Sequence, residues 1–190
     1  MVTQNQNDSG IQMARFTQID PTSSTGKANE LLSAVKANMG MVPNMTRGMA
    51  NSPAVLGGYL GLAGALAGGS LEGPLREKLA LVVAESNGCD YCLSAHTAIG
   101  GMVKISSEDI LLSRQGLSSD PKTQAALEFA KAVLASKGHV DDLDIIAIQN
   151  AGFSEGEIGE IVAHVALNVF TNYFNSVSQT DIDFPLAAKL

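Results

Sequence analysis

The sequence is more informative for what it lacks than for its bulk composition. Two cysteines occur in 190 residues, and both sit in one CxxC, Cys89 and Cys92, so no disulfide framework can hold the chain together. Basic residues are scarce: Lys and Arg total 12 against 19 Asp and Glu, a formal charge of -7 with a pI near 4.8. A surface that binds nucleic acid needs clustered Lys and Arg to neutralise phosphates, so that class of partner is excluded. The first residues, MVTQNQNDSG, lack the basic and then apolar pattern of a secretory signal, and a close cysteine pair without one reads as cytoplasmic redox or metal chemistry. No run alternates with period two between hairpin turns, and no repeat or low-complexity block is present.

Charge is also missing from one long stretch, since none occurs between Arg47 and Glu72. Its length would permit a membrane span. However, Gly57, Gly58, Gly61, Gly64, Gly68 and Gly69 dilute its hydrophobicity. Small residues at four-residue spacing also let helices approach closely in soluble cores. The expectation is a buried or subunit-contact helix with no membrane role, in which close packing makes Gly61 sensitive to overpacking.

What is present is helical periodicity. Ala28, Leu31, Leu32, Val35 and Met39 predict an amphipathic helix over 25–38, ended by Gly40 and Pro43. A short helical segment over 44–50 precedes Ser52 and Pro53, an N-cap and first-turn pair that opens the Gly/Ala-rich helix to Ala67. Further helices are predicted over 74–86, over 89–99 with Gly100 and Gly101 as its stop, and over 107–114. Asp120 and Pro121 start another, with Ala125, Ala126, Phe129, Val133 and Leu134 facing inward. Leu143, Ile146 and Ala147 mark a short helix over 141–150. Ser154 and Glu157 form a capping box at the head of the last long helix, where Ile158, Ile161, Val162, Val165 and Val169 make a stripe to about Val177. The fold class is therefore all-α. A length of 190 residues fits one domain over 15–190, with 1–14 as a flexible extension and Met13 as an alternative start.

The chemistry concentrates in REKLALVVAESNGCDYCLSAHT, residues 76–97. On one helix, Cys89, Cys92 and His96 share a face, because residues three, four and seven apart are neighbours there. A cysteine reacts as its thiolate, which is favoured at a helix N-terminus and beside a second thiol or an imidazole. Two cysteines in one turn can also close a disulfide, so a sulfenic acid formed on one is resolved by the other. The helix-end position favours Cys89 as the attacking thiol. The proximity of His96 favours Cys92. Glu77 lies on an apolar stripe with Leu81 and Ala84, where a carboxylate either pairs with a Lys or Arg or relays protons to an imidazole.

The spacing Glu77, eleven residues, Cys89, two residues, Cys92, three residues, His96 resembles the core motif of the alkyl hydroperoxidase D and carboxymuconolactone decarboxylase superfamily. It is most similar to that superfamily's peroxidase-related branch. The segment NVFTNYFN, 168–175, also resembles the family's closing helix. The resemblance implies an AhpD-like bundle of about seven to nine helices that assembles into homo-oligomers, as dimers, trimers or hexamers. It also implies hydroperoxide reduction by a redox-active Cys89–Cys92 disulfide, without a bound cofactor or metal. In that scheme Cys92 attacks, Cys89 resolves, and protons pass through His96 to Glu77. The reductant implied is an external dithiol such as dihydrolipoamide, in some systems linked to a peroxiredoxin. Decarboxylase members generally lack the cysteine pair. The well-studied hydroperoxidase type has a histidine directly before its second cysteine, where this chain has Tyr91.

Two other functions compete with a peroxidase: a superfamily lyase that uses His96 and Glu77 without thiol turnover, and a non-enzymatic redox sensor whose disulfide alters a subunit contact. Zinc could take Cys89, Cys92 and His96, but a closed site usually needs a fourth ligand, for which His139 and His164 are the histidine candidates. Haem attachment requires a histidine where Leu93 stands. His139 reads as a solvated loop residue, and His164 as a hydrogen-bonded histidine beside the last apolar stripe.

Overall fold

The computed structural model describes residues 14–190. Among them are nine helices and no strand: α1 (Gly26–Met39), α2 (Asn44–Met49), α3 (Pro53–Ala67), α4 (Gly73–Ser86), α5 (Asp90–Met102), α6 (Ser107–Gln115), α7 (Pro121–Ser136), α8 (Asp142–Asn150) and α9 (Glu155–Ser178). The all-α expectation is met. Apart from Ala14, the expected N-terminal extension lies outside the described residues.

Helix α4 is the hub, packed on α5, α6, α7 and α9. Its residues Leu79, Ala80, Leu81, Val82, Val83 and Ala84 are all buried, as an apolar surface on every side requires. One apolar core joins α4 to α7, α8 and the first half of α9 through Leu79, Val83, Leu127, Phe129, Ile148 and Ile161. A second joins α1, α2, α3, α4 and α5 through Leu32, Met49, Leu56, Ala84, Tyr91 and both cysteines. Residues beyond α9 then run back across this second core, which Ile182, Phe184 and Ala187 cover.

The caps read from sequence largely hold. Ser106 accepts from the Asp109 N–H, Asp120 from Thr123, and Ser154 and Glu157 form the expected capping box; such a cap contributes about 1 kcal/mol. Asp141 forms a second capping box with Asp144. Ser52 stands at the N-cap of α3 but makes no side-chain cap bond.

Helix α8 forms where it is expected, with Ile148 buried and Leu143 and Ile146 exposed, at 72% and 50%. Three expectations need correction. Gly100 and Gly101 do not stop α5, which continues to Met102. Gly100 is instead buried where a Cβ would come within 3.4 Å of Ile110, so it permits close approach of α6. On α9, Val162 is exposed, and the buried face continues through Asn168, Asn172 and Asn175. Finally, within the chain the Gly-rich α3 is not closely packed along its glycines. Added Cβ atoms at Gly58, Gly61 and Gly64 would meet nothing within 4 Å, because only the opposite face, with Leu56 and Leu66, is buried. Among the described residues no helix is long and apolar enough to cross a membrane.

Candidate active site

The four residues singled out by the motif come together where α4, α5 and α9 meet. Gly88, at φ +64°, supplies the left-handed turn that ends α4 and starts α5, a conformation glycine adopts without steric cost. The turn places Cys89 at the N-cap of α5 and Cys92 in its first turn, where the Cys92 N–H donates to Cys89 Sγ at 3.3 Å. Both thiols are reduced and both residues are 3% exposed.

One helical turn further along α5, His96 Nδ1 meets Glu77 Oε2 on α4 at 2.8 Å. Of the two fates open to Glu77, the structure shows the imidazole as its partner. The nearby Glu85 is the carboxylate that takes an arginine, Arg114, with Nε to Oε2 at 2.6 Å. His96 and Glu77 keep 22% and 18% of their side-chain exposure, enough to exchange protons with the site.

The electrostatics separate the two thiols. A hydrogen bond from Cys89 holds Cys92 below the ordinary thiol value, aided by His96, Asn175 and Asn172 and opposed by burial. The same bond, burial and the Asp90 charge push the Cys89 thiol far up. Burial lowers the His96 pKa, but the Glu77 charge and hydrogen bond, together with Cys92, outweigh it and hold the imidazole above its ordinary value. Thiolate at Cys92 and imidazolium at His96 therefore stabilise each other.

Cys92, His96 and Glu77 all open onto one cavity of about 250 Å³. Most of its wall is apolar, including Met39, Ala63, Ala80, Ile99, Leu167 and Phe184. His164 and Arg76 also reach it. Arg76 Nη1 is engaged with the Leu66 and Ala67 carbonyls at the end of α3. His164 is buried, its pKa lowered by burial and then by Arg76, and its Nε2 has no hydrogen-bond partner among the described residues. His139 is exposed and is not part of the cavity wall. Among the described residues, no group of three or more His, Cys, Asp or Glu side chains is placed to hold a metal ion.

Sequence reasoning missed three parts of the site. Asn175 Nδ2 donates to Cys92 Sγ at 3.3 Å and to Met45 Sδ at 3.3 Å. Asn172 Oδ1 accepts from Asn87 Nδ2 at 2.9 Å. Their signal was available, because asparagines 168, 172 and 175 recur at helical spacing on the face that continues the stripe of Ile158, Ile161 and Val165. The third is the anchoring of Tyr91, a residue expected at the pocket mouth or simply packed: it lines the cavity, and its hydroxyl donates to Asp183 Oδ1 at 2.9 Å and accepts from the Met45 N–H at 3.1 Å. Asp183 Oδ2 also accepts from the Asn44 N–H at 2.8 Å. Burial raises the Tyr91 pKa, so the hydroxyl keeps the proton it donates. The long-range partnership with the C-terminal segment has no local sequence signature.

Residues 53–132 match the model of the carboxymuconolactone decarboxylase family, so the family resemblance seen in the motif stands. No curated protein matches the chain. The fold is similar to that of a peroxidase-related protein with an alkylhydroperoxidase AhpD core from Ralstonia eutropha JMP134, with TM-score 0.79, 21% identity, and coverage of 90% of this chain and 92% of that one. A peroxidase-related protein from Silicibacter sp. TM1040 superposes with TM-score 0.75 at 21% identity, covering 87% and 91% of the two chains. A variant of the debrominase Bmp8 in complex with 2,3,4-tribromopyrrole does so with TM-score 0.76 at 21% identity, covering 90% and 94%.

Proposed function

From a chain that carries the carboxymuconolactone decarboxylase family match over residues 53–132 on an AhpD-like helical fold, we propose a thiol-dependent oxidoreductase that reduces organic hydroperoxides. The observation that carries this reading is the asymmetry of the dithiol. Cys92 receives the Asn175 amide and shares its cavity with the His96–Glu77 pair. Cys89 is held as the neutral thiol.

The Cys92 thiolate attacks the terminal peroxide oxygen, the O–O bond breaks, and the departing alkoxide takes a proton from His96 to leave as an alcohol. Cys92 is then a sulfenic acid. Cys89 Sγ attacks the Cys92 sulfur, loses its proton, and displaces hydroxide, which leaves as water; the product is the Cys89–Cys92 disulfide. Glu77 holds the His96 ring through Nδ1, so that Nε2 is the nitrogen exchanging the proton. An external dithiol supplies the two electrons that reopen the disulfide. The mostly apolar wall favours an organic peroxide over hydrogen peroxide. The protein works as a homo-oligomer in the cytoplasm.

A second use of the same dithiol is reductive dehalogenation, favoured by the apolar cavity and by the fold shared with a debrominase. In it, Cys92 takes the halogen from an aromatic ring, the ring carbon takes a proton, and Cys89 displaces halide to give the same disulfide.

Stoichiometric cumene hydroperoxide added to the reduced protein tests the first reading. Rapid loss of both thiols, with the intact mass of one internal disulfide and release of the alcohol, is expected. Thiols that stay reduced would overturn it, and the same thiol count with a brominated pyrrole would then decide the second.

A further inference from the structure

The two cysteines do not open onto the same space. Cys92 lines the cavity of about 250 Å³ described above, and Cys89 is not part of its wall. Cys89 instead lines a separate cleft of about 390 Å³ between the start of α5 and the end of α9, with Gly88, Asp90, Ser176 and Asp181 around it. Cys92 is not part of that wall. Tyr91 borders both spaces, and its hydroxyl is fixed by Asp183 and the Met45 N–H, with Phe184 packed edge-on against its ring at 5.8 Å. Tyr91 is thus a tethered partition between the two spaces, while the two sulfurs themselves stay in contact.

We propose that the dithiol is served through two openings: the oxidising substrate reaches Cys92 through the apolar cavity, and the cleft at Cys89 is the docking site for an uncharged, slender dithiol reductant. This rests on the dithiol cycle above but assigns a site that the cycle itself does not require. Three observations shape the ligand. Cys89 is 3% exposed, so a reductant must present its thiol on a narrow arm. The charged side chains lining the cleft are Asp90 and Asp181, with no Lys or Arg in its wall. The C-terminal end of α9, the negative end of that helix dipole, also borders it. The Arg15 guanidinium, bonded to the Val177 carbonyl, and the Arg15 N–H on the Ser178 carbonyl partly offset that dipole without lining the cleft, so Asp90 and Asp181 carry the main repulsion. An anionic reductant is therefore repelled, and a neutral one is not.

The chemistry agrees with the direction of approach. One reductant thiolate attacks Cys89 Sγ, the S–S bond breaks, and Cys92 leaves as the better-stabilised thiolate. The reductant's second thiolate then attacks its own sulfur in the mixed disulfide, Cys89 leaves and takes a proton, and the reductant departs as a cyclic disulfide. Two electrons pass from the dithiol to the protein, and the two protons of the dithiol end on the protein thiols or in solvent.

The test separates the half-reactions. The disulfide is made with diamide, so that it forms whether or not hydroperoxide is the true oxidant, and its reduction is followed by stopped flow. Dihydrolipoamide and dihydrolipoate carry the same dithiol and differ in one charge. Dihydrolipoamide is expected to react about three- to tenfold faster at low ionic strength, with the gap closing in high salt and in D90N/D181N. Ser176→Trp, at an exposed position in the cleft, is expected to slow reduction and leave hydroperoxide oxidation unchanged, and Ala63→Phe, in the apolar cavity, to do the reverse. Equal rates for the two reductants, or substitutions that slow both half-reactions alike, would overturn the two-opening arrangement. Failure of cumene hydroperoxide to oxidise Cys92, with the reductant preference intact, would remove the peroxide reading alone.

Discussion

Helix α9 runs through two different interiors. Its first half gives Ile158, Ile161 and Val165 to an all-apolar core with α4, α7 and α8. Its second half buries Asn168, Asn172 and Asn175 beside the thiols. The first region holds the fold together through volume and apolar area alone. The second keeps polar atoms in places where they weaken the fold, since Asn172 Nδ2 and Asn175 Oδ1 are buried without partners among the described residues. A buried polar group left unpaired costs about 1–3 kcal/mol. Such groups belong where chemistry needs them, and here Asn175 reaches the Cys92 sulfur through its Nδ2.

The contrast predicts opposite responses to substitution. The largest effect on stability is expected at Leu127, which is fully buried in the apolar core. Leu127→Ala should cost about 2–5 kcal/mol in chemical denaturation while leaving the alkylation rate of Cys92 unchanged in the folded molecule. Altered thiol reactivity in that variant would mean the two interiors are coupled. In the other interior, Glu77→Gln should lower the hydroperoxide oxidation rate by about 100-fold, the usual scale of lost proton transfer, with a much smaller change in melting temperature. Retained activity would remove the His96–Glu77 pair from the mechanism.

How much of this was legible in sequence follows the same division. The apolar half was readable because its signals are local: the capping box at Ser154 and Glu157 and the spacing of Phe129 and Val133 each act within a turn or two of helix. The motif Glu77, Cys89, Cys92, His96 was readable because its members lie on two consecutive helices. Tyr91 with Asp183, and Cys92 with Asn175, were not. Their separations of 92 and 83 residues are bridged only by the way α9 and the following segment return over α5. On Gly100, a glycine that permits close packing carries the same letter as one that ends a helix.

Smaller effects sharpen the comparison. Asn175→Leu removes a donor to the Cys92 sulfur, so its pKa should rise by about one unit and its alkylation at neutral pH fall roughly tenfold, with stability unchanged or improved. A loss of stability instead would make Asn175 a structural residue like those of the first interior. In the unaltered protein the Cys92 pKa is depressed, so thiolate reactivity should persist well below the usual thiol value of about 8.5 and disappear as pH falls through the lowered folded value. A midpoint at or above that of a free thiol, measured by iodoacetamide rates across pH, would contradict the electrostatic account. Gly61→Ala should do least. Its added Cβ meets nothing within the chain, and a gain of up to about 1 kcal/mol from helix propensity is expected. A shift in oligomer size on that substitution would show that the open face of α3 meets another subunit.

The central claim is that Cys92 is the sulfur that attacks and Cys89 the one that resolves. Trapping with dimedone after one equivalent of cumene hydroperoxide, followed by intact mass measurement of Cys89→Ser and Cys92→Ser, tests it most directly. Cys89→Ser should accumulate a dimedone adduct on Cys92, and Cys92→Ser should remain unmodified. An adduct on Cys89 in Cys92→Ser, with none in Cys89→Ser, would contradict the assignment.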